Sequence, residues 1–179
     1  MKQPPTLVTN SLIYTGYMPD SIELNRQIME AYLQLGEQDF LKRTHFFNGR
    51  YENLYLHRER IPAISHILGQ AEIYAAEILQ KKHSEKLRSG FWINAMDSGA
   101  VTTEHDHDED DELLSAVYYV QVPPDSGELN IMDKHSRTML TPQAGMFVFF
   151  SPSVRHSVSI NNSKEKRISI GMNFGPMPT

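Results

Sequence analysis

From Phe91 to Asn173 the chain consists almost entirely of short apolar or alternating runs broken by turn residues, and this texture limits its fold more than any other feature. The runs cover 91–96, 101–104, 114–122, 128–132, 138–140, 146–150, 157–160 and 167–173. Clusters such as Pro123-Pro124-Asp125-Ser126-Gly127 and Asn161-Asn162-Ser163 separate them. Eight short strands within roughly 85 residues, following a helical half, predict a double-sheet jelly roll with helices packed outside it.

Two helices are expected in the first half. Asp20 with Glu23 has the spacing of a capping box, and Leu24, Ile28, Tyr32 and Leu35 recur at helical intervals up to Gly36. Pro62 suits the first turn of a second helix. There Ile64, Ile67, Leu68, Ala71, Tyr74, Ala75 and Ile78 make one apolar face, and Lys81, Lys82 and His83 fall where a last turn favours cations. That face should lie against a sheet. Residues 6–15 read as a strand with a polar interruption, and 50–57 as another whose aromatic residues belong to a core. The expected class is mainly β with flanking helices (α+β), as a single domain over 1–179. Residues 1–88 support a jelly-roll core over 89–175.

Histidine spacing points to chemistry. If extended, His105 and His107 project from the same side of a strand and can share one metal ion. His156 lies about fifty residues on in another strand-like run and can complete a set of three ligands with open coordination positions. His45, His57, His66, His83 and His135 have no such partners in sequence and read as surface or core residues.

Charge and composition narrow the class. Cysteine is absent, so disulfides, thiolate metal sites and cysteine nucleophiles are excluded together. The formal charge is −5, yet seven of the nine residues from Glu104 to Glu112 are acidic, leaving fifteen acids against seventeen bases elsewhere. Acid concentrated beside the candidate site argues against a nucleic-acid partner there, because a phosphate backbone needs Lys and Arg to displace its counterions. Asp106, Asp108, Glu109, Asp110, Asp111 and Glu112 could steer a cation to the site or form a solvated loop. No segment has the length of a membrane span, and Met1-Lys2-Gln3-Pro4-Pro5 lacks the apolar run of a signal peptide, so a soluble cytoplasmic protein is expected.

Several motifs occur in a telling order. They are Trp92-x-Asn94, Gly99, His105-x-His107, Ser115 to Val120 with Tyr118-Tyr119, Ser126-Gly127-Glu128-Leu129, Pro142-x-x-Gly145, Phe149-Phe150-Ser151-Pro152, His156-x-Val158, and Arg167-Ile168-Ser169-Ile170 with Asn173. Together they resemble the bacterial and phage prolyl 4-hydroxylase-like branch of the iron(II)/2-oxoglutarate-dependent oxygenases. The resemblance implies a double-stranded β-helix, with Fe(II), 2-oxoglutarate and O2 as cofactor and cosubstrates. It implies hydroxylation of an unactivated C–H bond in a small molecule, cationic or amino-acid-like, or in an exposed side chain. His105, His107 and His156 become the metal ligands and catalytic centre. Arg167, Ser169 and Tyr119 become the oxoglutarate clamp, with Asn94 a further candidate.

The chain departs from that pattern in one respect. Most of the superfamily has a carboxylate where His107 stands, so the third ligand is either His107 or, in a slipped register, Glu109 alongside His107 and His156. A cupin-type metalloprotein that does not use oxoglutarate is the rival reading, because Gly99, His105-x-His107 and Glu112 match the first half of the cupin motif. A degenerate, non-catalytic metal-binding module is the third.

Overall fold

The computed structural model describes residues 4–9, 13–82, 85–107, 111–133 and 136–178. Its β-strands form two antiparallel sheets. The larger has eight strands, in the order β1 (Thr6–Thr9), β2 (Ile13–Tyr17), β10 (Met146–Phe150), β7 (Leu114–Gln121), β12 (Arg167–Pro176), β5 (Leu87–Met96), β4 (Arg50–Leu56) and β3 (Phe40–Phe47). The smaller has four, in the order β6 (Thr102–His105), β11 (Arg155–Val158), β8 (Leu129–Asp133) and β9 (Ser136–Leu140). Helices α1 (Ser21–Leu33) and α2 (Ile64–Ile78) cover the outer face of the large sheet, and the small sheet covers part of its inner face. The expected double-stranded β-helix with external helices is the observed architecture.

Strand parity divides the interior into two compartments. All five residues of β10 are buried, but Phe147 and Phe149 point to the helices while Met146, Val148 and Phe150 point to the small sheet. The same two-residue period sends Tyr118 outward and Tyr119 inward on β7. On β12 it sends Ile168, Ile170, Met172 and Phe174 to the helices. The α2 stripe predicted from helical spacing closes that outer core, with Ile64, Ile67, Leu68, Ala71, Tyr74 and Ala75 all buried.

Several local expectations are corrected. Residues 6–15 are not one strand; β1 and β2 pair as a hairpin. Asp20 does precede α1, but it adopts left-handed geometry (φ 54°) and makes no side-chain cap bond. Glu23 is engaged instead by Arg26 and Gln27. That helix ends at Leu33, short of Gly36, and α2 ends at Ile78, so Lys81 and Lys82 lie beyond it and His83 is outside the described residues. Strand β11 starts at Arg155 rather than at residue 157, which brings His156 inside the ladder. Strand β3 was not anticipated: its Leu-Lys-Arg-Thr-His run is largely exposed at the sheet edge and shows no apolar alternation.

Candidate metal centre

Sheet pairing assembles the histidines. In the antiparallel ladder of β6 and β11, His105 and His156 are direct partners, and their ring centroids are 4.3 Å apart. His107 follows the end of β6 rather than extending it; its N–H donates to the Pro152 carbonyl at 2.9 Å, which holds it against the β10–β11 turn. Its ring centroid is 5.1 Å from each of the other two. One ligand atom from each of His105, His107 and His156 lies within 4.8 Å of the others. The alternative ligand Glu109 is outside the described residues. Glu112, the cupin-like candidate, is not part of this group.

The tautomers suit a metal. Nδ1 of His105 lies 2.8 Å from the Thr103 carbonyl, and Nδ1 of His156 lies 3.2 Å from the Val154 carbonyl. A carbonyl only accepts, so both Nδ1 atoms carry hydrogen and both Nε2 lone pairs are free. Burial, reinforced by the neighbouring His105 and His107, pushes His156 down to about 3. Burial, with repulsion from His105 and His45, pushes His107 down to about 4. At neutral pH these two rings are uncharged, the form that ligates.

A pocket of about 50 Å³ adjoins the triad, and its wall includes the three histidines, Tyr119, Arg167 and Ser169. Ladder registers place Tyr119, Ser169 and Asn94 side by side on β7, β12 and β5. Arg167 is 1 % exposed, and its Nη1 donates to the carbonyls of Ser126 (3.0 Å) and Gly127 (2.6 Å). Gly127 is required there: at φ +90°, any Cβ would meet the Ser159 carbonyl oxygen at 2.2 Å. Among the described residues Nε of Arg167 and the hydroxyl of Tyr119 are buried without hydrogen-bond partners, and the guanidinium carbon lies 5.2 Å from the Tyr119 ring centroid. Burial lowers the Arg167 pKa and raises that of Tyr119, with each group partly countering the other's shift.

An arginine whose Nη1 is fixed by two carbonyls and whose buried Nε meets no acceptor among the described residues can receive a carboxylate, because a guanidinium's N–H donors match carboxylate oxygens. The residues therefore fit both a metal with imidazole ligands and a dicarboxylate. Asn94 also lines the pocket, although its Oδ1 accepts from Arg50 and its Nδ2 donates to Thr102, both at 3.4 Å.

Several contributors were not anticipated. Glu52 of β4, 2 % exposed, accepts from the backbone N–H and the hydroxyl of Thr103 at 3.1 Å each. Thr103 in turn bonds His105, so Glu52 positions that ring through one intermediary. Gly171 makes room for Trp92: a Cβ there would meet the indole at 2.3 Å, and Trp92 borders His107 with ring centroids 5.4 Å apart. An unexplained glycine within a strand was the available signal for that approach. His45 stands 6.0 Å from His105, ring to ring, on the unanticipated β3. The acidic segment is partly paired, Glu104 with Arg155 at 2.9 Å and Asp111 with Arg88, while Asp108, Glu109 and Asp110 are outside the described residues.

Residues 90–141 match the model of a family described as "Putative 2OG-Fe(II) oxygenase". No curated protein matches the chain in sequence. Among solved structures, a prolyl-4-hydroxylase from Pseudomonas putida is similar over 93% of this chain and 94% of its own, at 18% identity and TM-score 0.69. A prolyl hydroxylase from Trichoplax adhaerens, in complex with a hypoxia inducible factor peptide fragment, aligns over 93% of this chain and 84% of its own, at 9% identity and TM-score 0.70. EvdO2 from Micromonospora carbonacea, complexed with 2-oxoglutarate, aligns over 100% of this chain and 95% of its own, at 14% identity and TM-score 0.65.

Proposed function

We propose that the chain, whose residues 90–141 match the model of a 2OG-Fe(II) oxygenase family, is a non-haem iron(II)- and 2-oxoglutarate-dependent dioxygenase hydroxylating an unactivated C–H bond of a small molecule or an exposed side chain. The observation that carries this reading is one pocket holding three convergent imidazoles and a buried guanidinium whose Nε has no hydrogen-bond partner among the described residues. His105, His107 and His156 would hold the iron. Nε of Arg167 and the Tyr119 hydroxyl would bind the distal carboxylate of oxoglutarate, with Ser169 beside them.

When bound, iron(II) with 2-oxoglutarate and O2 supplies the oxidising power, and the balance is succinate, carbon dioxide and one oxygen atom inserted into the substrate C–H bond. The protein's own part is placement. Arg167 and Tyr119 fix one end of the cosubstrate, the Nδ1–H bonds of His105 and His156 aim the ligand atoms, and the apolar walls from Leu129, Phe150 and Val158 exclude water. Three imidazole ligands would leave the full charge of a bound metal in the site, where the usual carboxylate would offset part of it.

The test uses protein purified without oxygen and reconstituted with iron(II). Adding 2-oxoglutarate should produce a visible charge-transfer band, and admitting air should release succinate. Arg167→Met should bind iron yet lose the oxoglutarate-dependent band. Iron binding indifferent to oxoglutarate in the parent protein would favour the cupin-type reading, and failure to bind iron would favour a degenerate module.

A further inference from the structure

On the far side of His107 lies a second compartment, of about 270 Å³. It shares Asn53, Trp92 and His107 with the inner pocket, so a molecule held in it lies directly against the histidine cluster. Its floor crosses four neighbouring strands, from Asn173 on β12 through Trp92 and Tyr55 to Lys42 on β3, and the segment around Glu112 forms one wall.

The two compartments have opposite polarity. Both pocket-lining atoms left without partners in the inner one, Nε of Arg167 and the hydroxyl of Tyr119, can donate to an anion. The outer one contains Glu112, whose Oε2 is buried and, among the described residues, accepts no hydrogen bond. A desolvated carboxylate oxygen with no donor is costly unless a bound partner supplies one, and a cation is the strongest such partner. Lys42, a cation in the same lining, does not supply that donor. Lys42 already lies with Nζ 5.7 Å from the Tyr55 ring centroid, closing that side of the floor and leaving the Glu112 side for the ligand.

Building on the oxygenase reading, we propose that this outer compartment is the substrate subsite and that Glu112 anchors a protonated amine of the substrate, making it a specificity-determining residue. The substrate class is a primary amine with a carbon chain long enough to bring a C–H bond past Trp92 and His107. Recognition would rest on one unpaired oxygen in a shaped pocket, not on the general acidity of the loop.

The experiment is calorimetric titration of the metal-free protein with 1,5-diaminopentane, with 1,5-pentanediol as the uncharged control. Saturable binding of the diamine is expected, about tenfold or more weaker in Glu112→Gln, with no competition from the diol. Lys42→Met, at an exposed position, should tighten diamine binding about threefold by removing a like charge. Equal affinity in Glu112→Gln, weaker binding in Lys42→Met, competition by the diol, or no saturable binding would each overturn the proposal. The same preparations are given iron(II) and oxoglutarate without oxygen. A charge-transfer band with no Glu112-dependent amine binding sinks the subsite alone, whereas amine binding without the band sinks the oxygenase reading and leaves the subsite.

Discussion

Along β12, Ile168, Ile170, Met172 and Phe174 are fully buried against the helices, whereas Arg167, Ser169, Gly171 and Asn173 turn inward, carrying a cation, a hydroxyl, a bare backbone and an amide. One strand thus serves cohesion with one parity and chemistry with the other. The outer face is interchangeable hydrocarbon whose contribution scales with area removed from water. The inner face places single groups whose identity matters and whose burial is unfavourable until a ligand arrives. The neighbouring strand β7 repeats the division, with Tyr118 turned to the helices and Tyr119 to the pocket.

The sharpest way to break that contrast is to remove one large group from each face. Phe147→Ala takes away a fully buried ring that packs against Tyr74, Tyr118 and Phe149, and should cost about 3–5 kcal/mol in urea unfolding. Arg167→Met replaces an equally buried side chain but leaves only two carbonyls without their donor, so its stability cost should stay below about 2 kcal/mol. Oxoglutarate affinity should show the reverse order, falling at least ~30-fold in Arg167→Met and little in whatever fraction of Phe147→Ala remains folded. Similar stability losses in the two variants would show that parity does not separate the roles.

The outer face was also the more legible of the two in the sequence. The stripe on α2 and the runs at 146–150 and 167–173 announce themselves because many apolar residues agree on one period. For the inner site, spacing brought His105, His107 and His156 forward and the family resemblance brought Arg167, and all four line one pocket. Its supports escaped because each is a solitary signal. Glu52 sits in a strand that reads as packing, and His45 lies on an edge strand whose solvent-facing residues carry no pattern. The capping box failed for a related reason: Arg26 and Gln27 compete for the Glu23 carboxylate that the box requires.

Gly171 lies where cohesion and chemistry meet on the inner face. Gly171→Ala would drive a methyl group into the indole of Trp92, and relieving that overlap should cost about 1–3 kcal/mol. Because Trp92 is the chain's one tryptophan, its fluorescence reports the displacement without interference. Since Trp92 borders His107, iron binding should weaken along with the emission shift. An unchanged spectrum would mean that the strand yields instead of the ring.

The smallest expected effects compare two adjacent tyrosines. The Tyr118 hydroxyl donates to Asn25 Oδ1 at 2.6 Å, tying β7 to α1, so Tyr118→Phe should lose about 1 kcal/mol and leave oxoglutarate binding unchanged. The Tyr119 hydroxyl is buried with no hydrogen-bond partner among the described residues, so Tyr119→Phe removes an unsatisfied group and should leave stability level or slightly higher. Its cost should appear only when the cosubstrate is added, as an affinity loss of several fold, from about 1 kcal/mol of hydrogen bonding. Thermal melts with and without oxoglutarate on both variants distinguish the two: Tyr118→Phe should lower the melting point by the same amount in each condition, and Tyr119→Phe should lower it only in the presence of oxoglutarate. If Tyr119→Phe were destabilised to the same extent in both, its hydroxyl would be holding the fold together, and the division of β7 between cohesion and chemistry would fail at the pair of residues where it is most finely drawn.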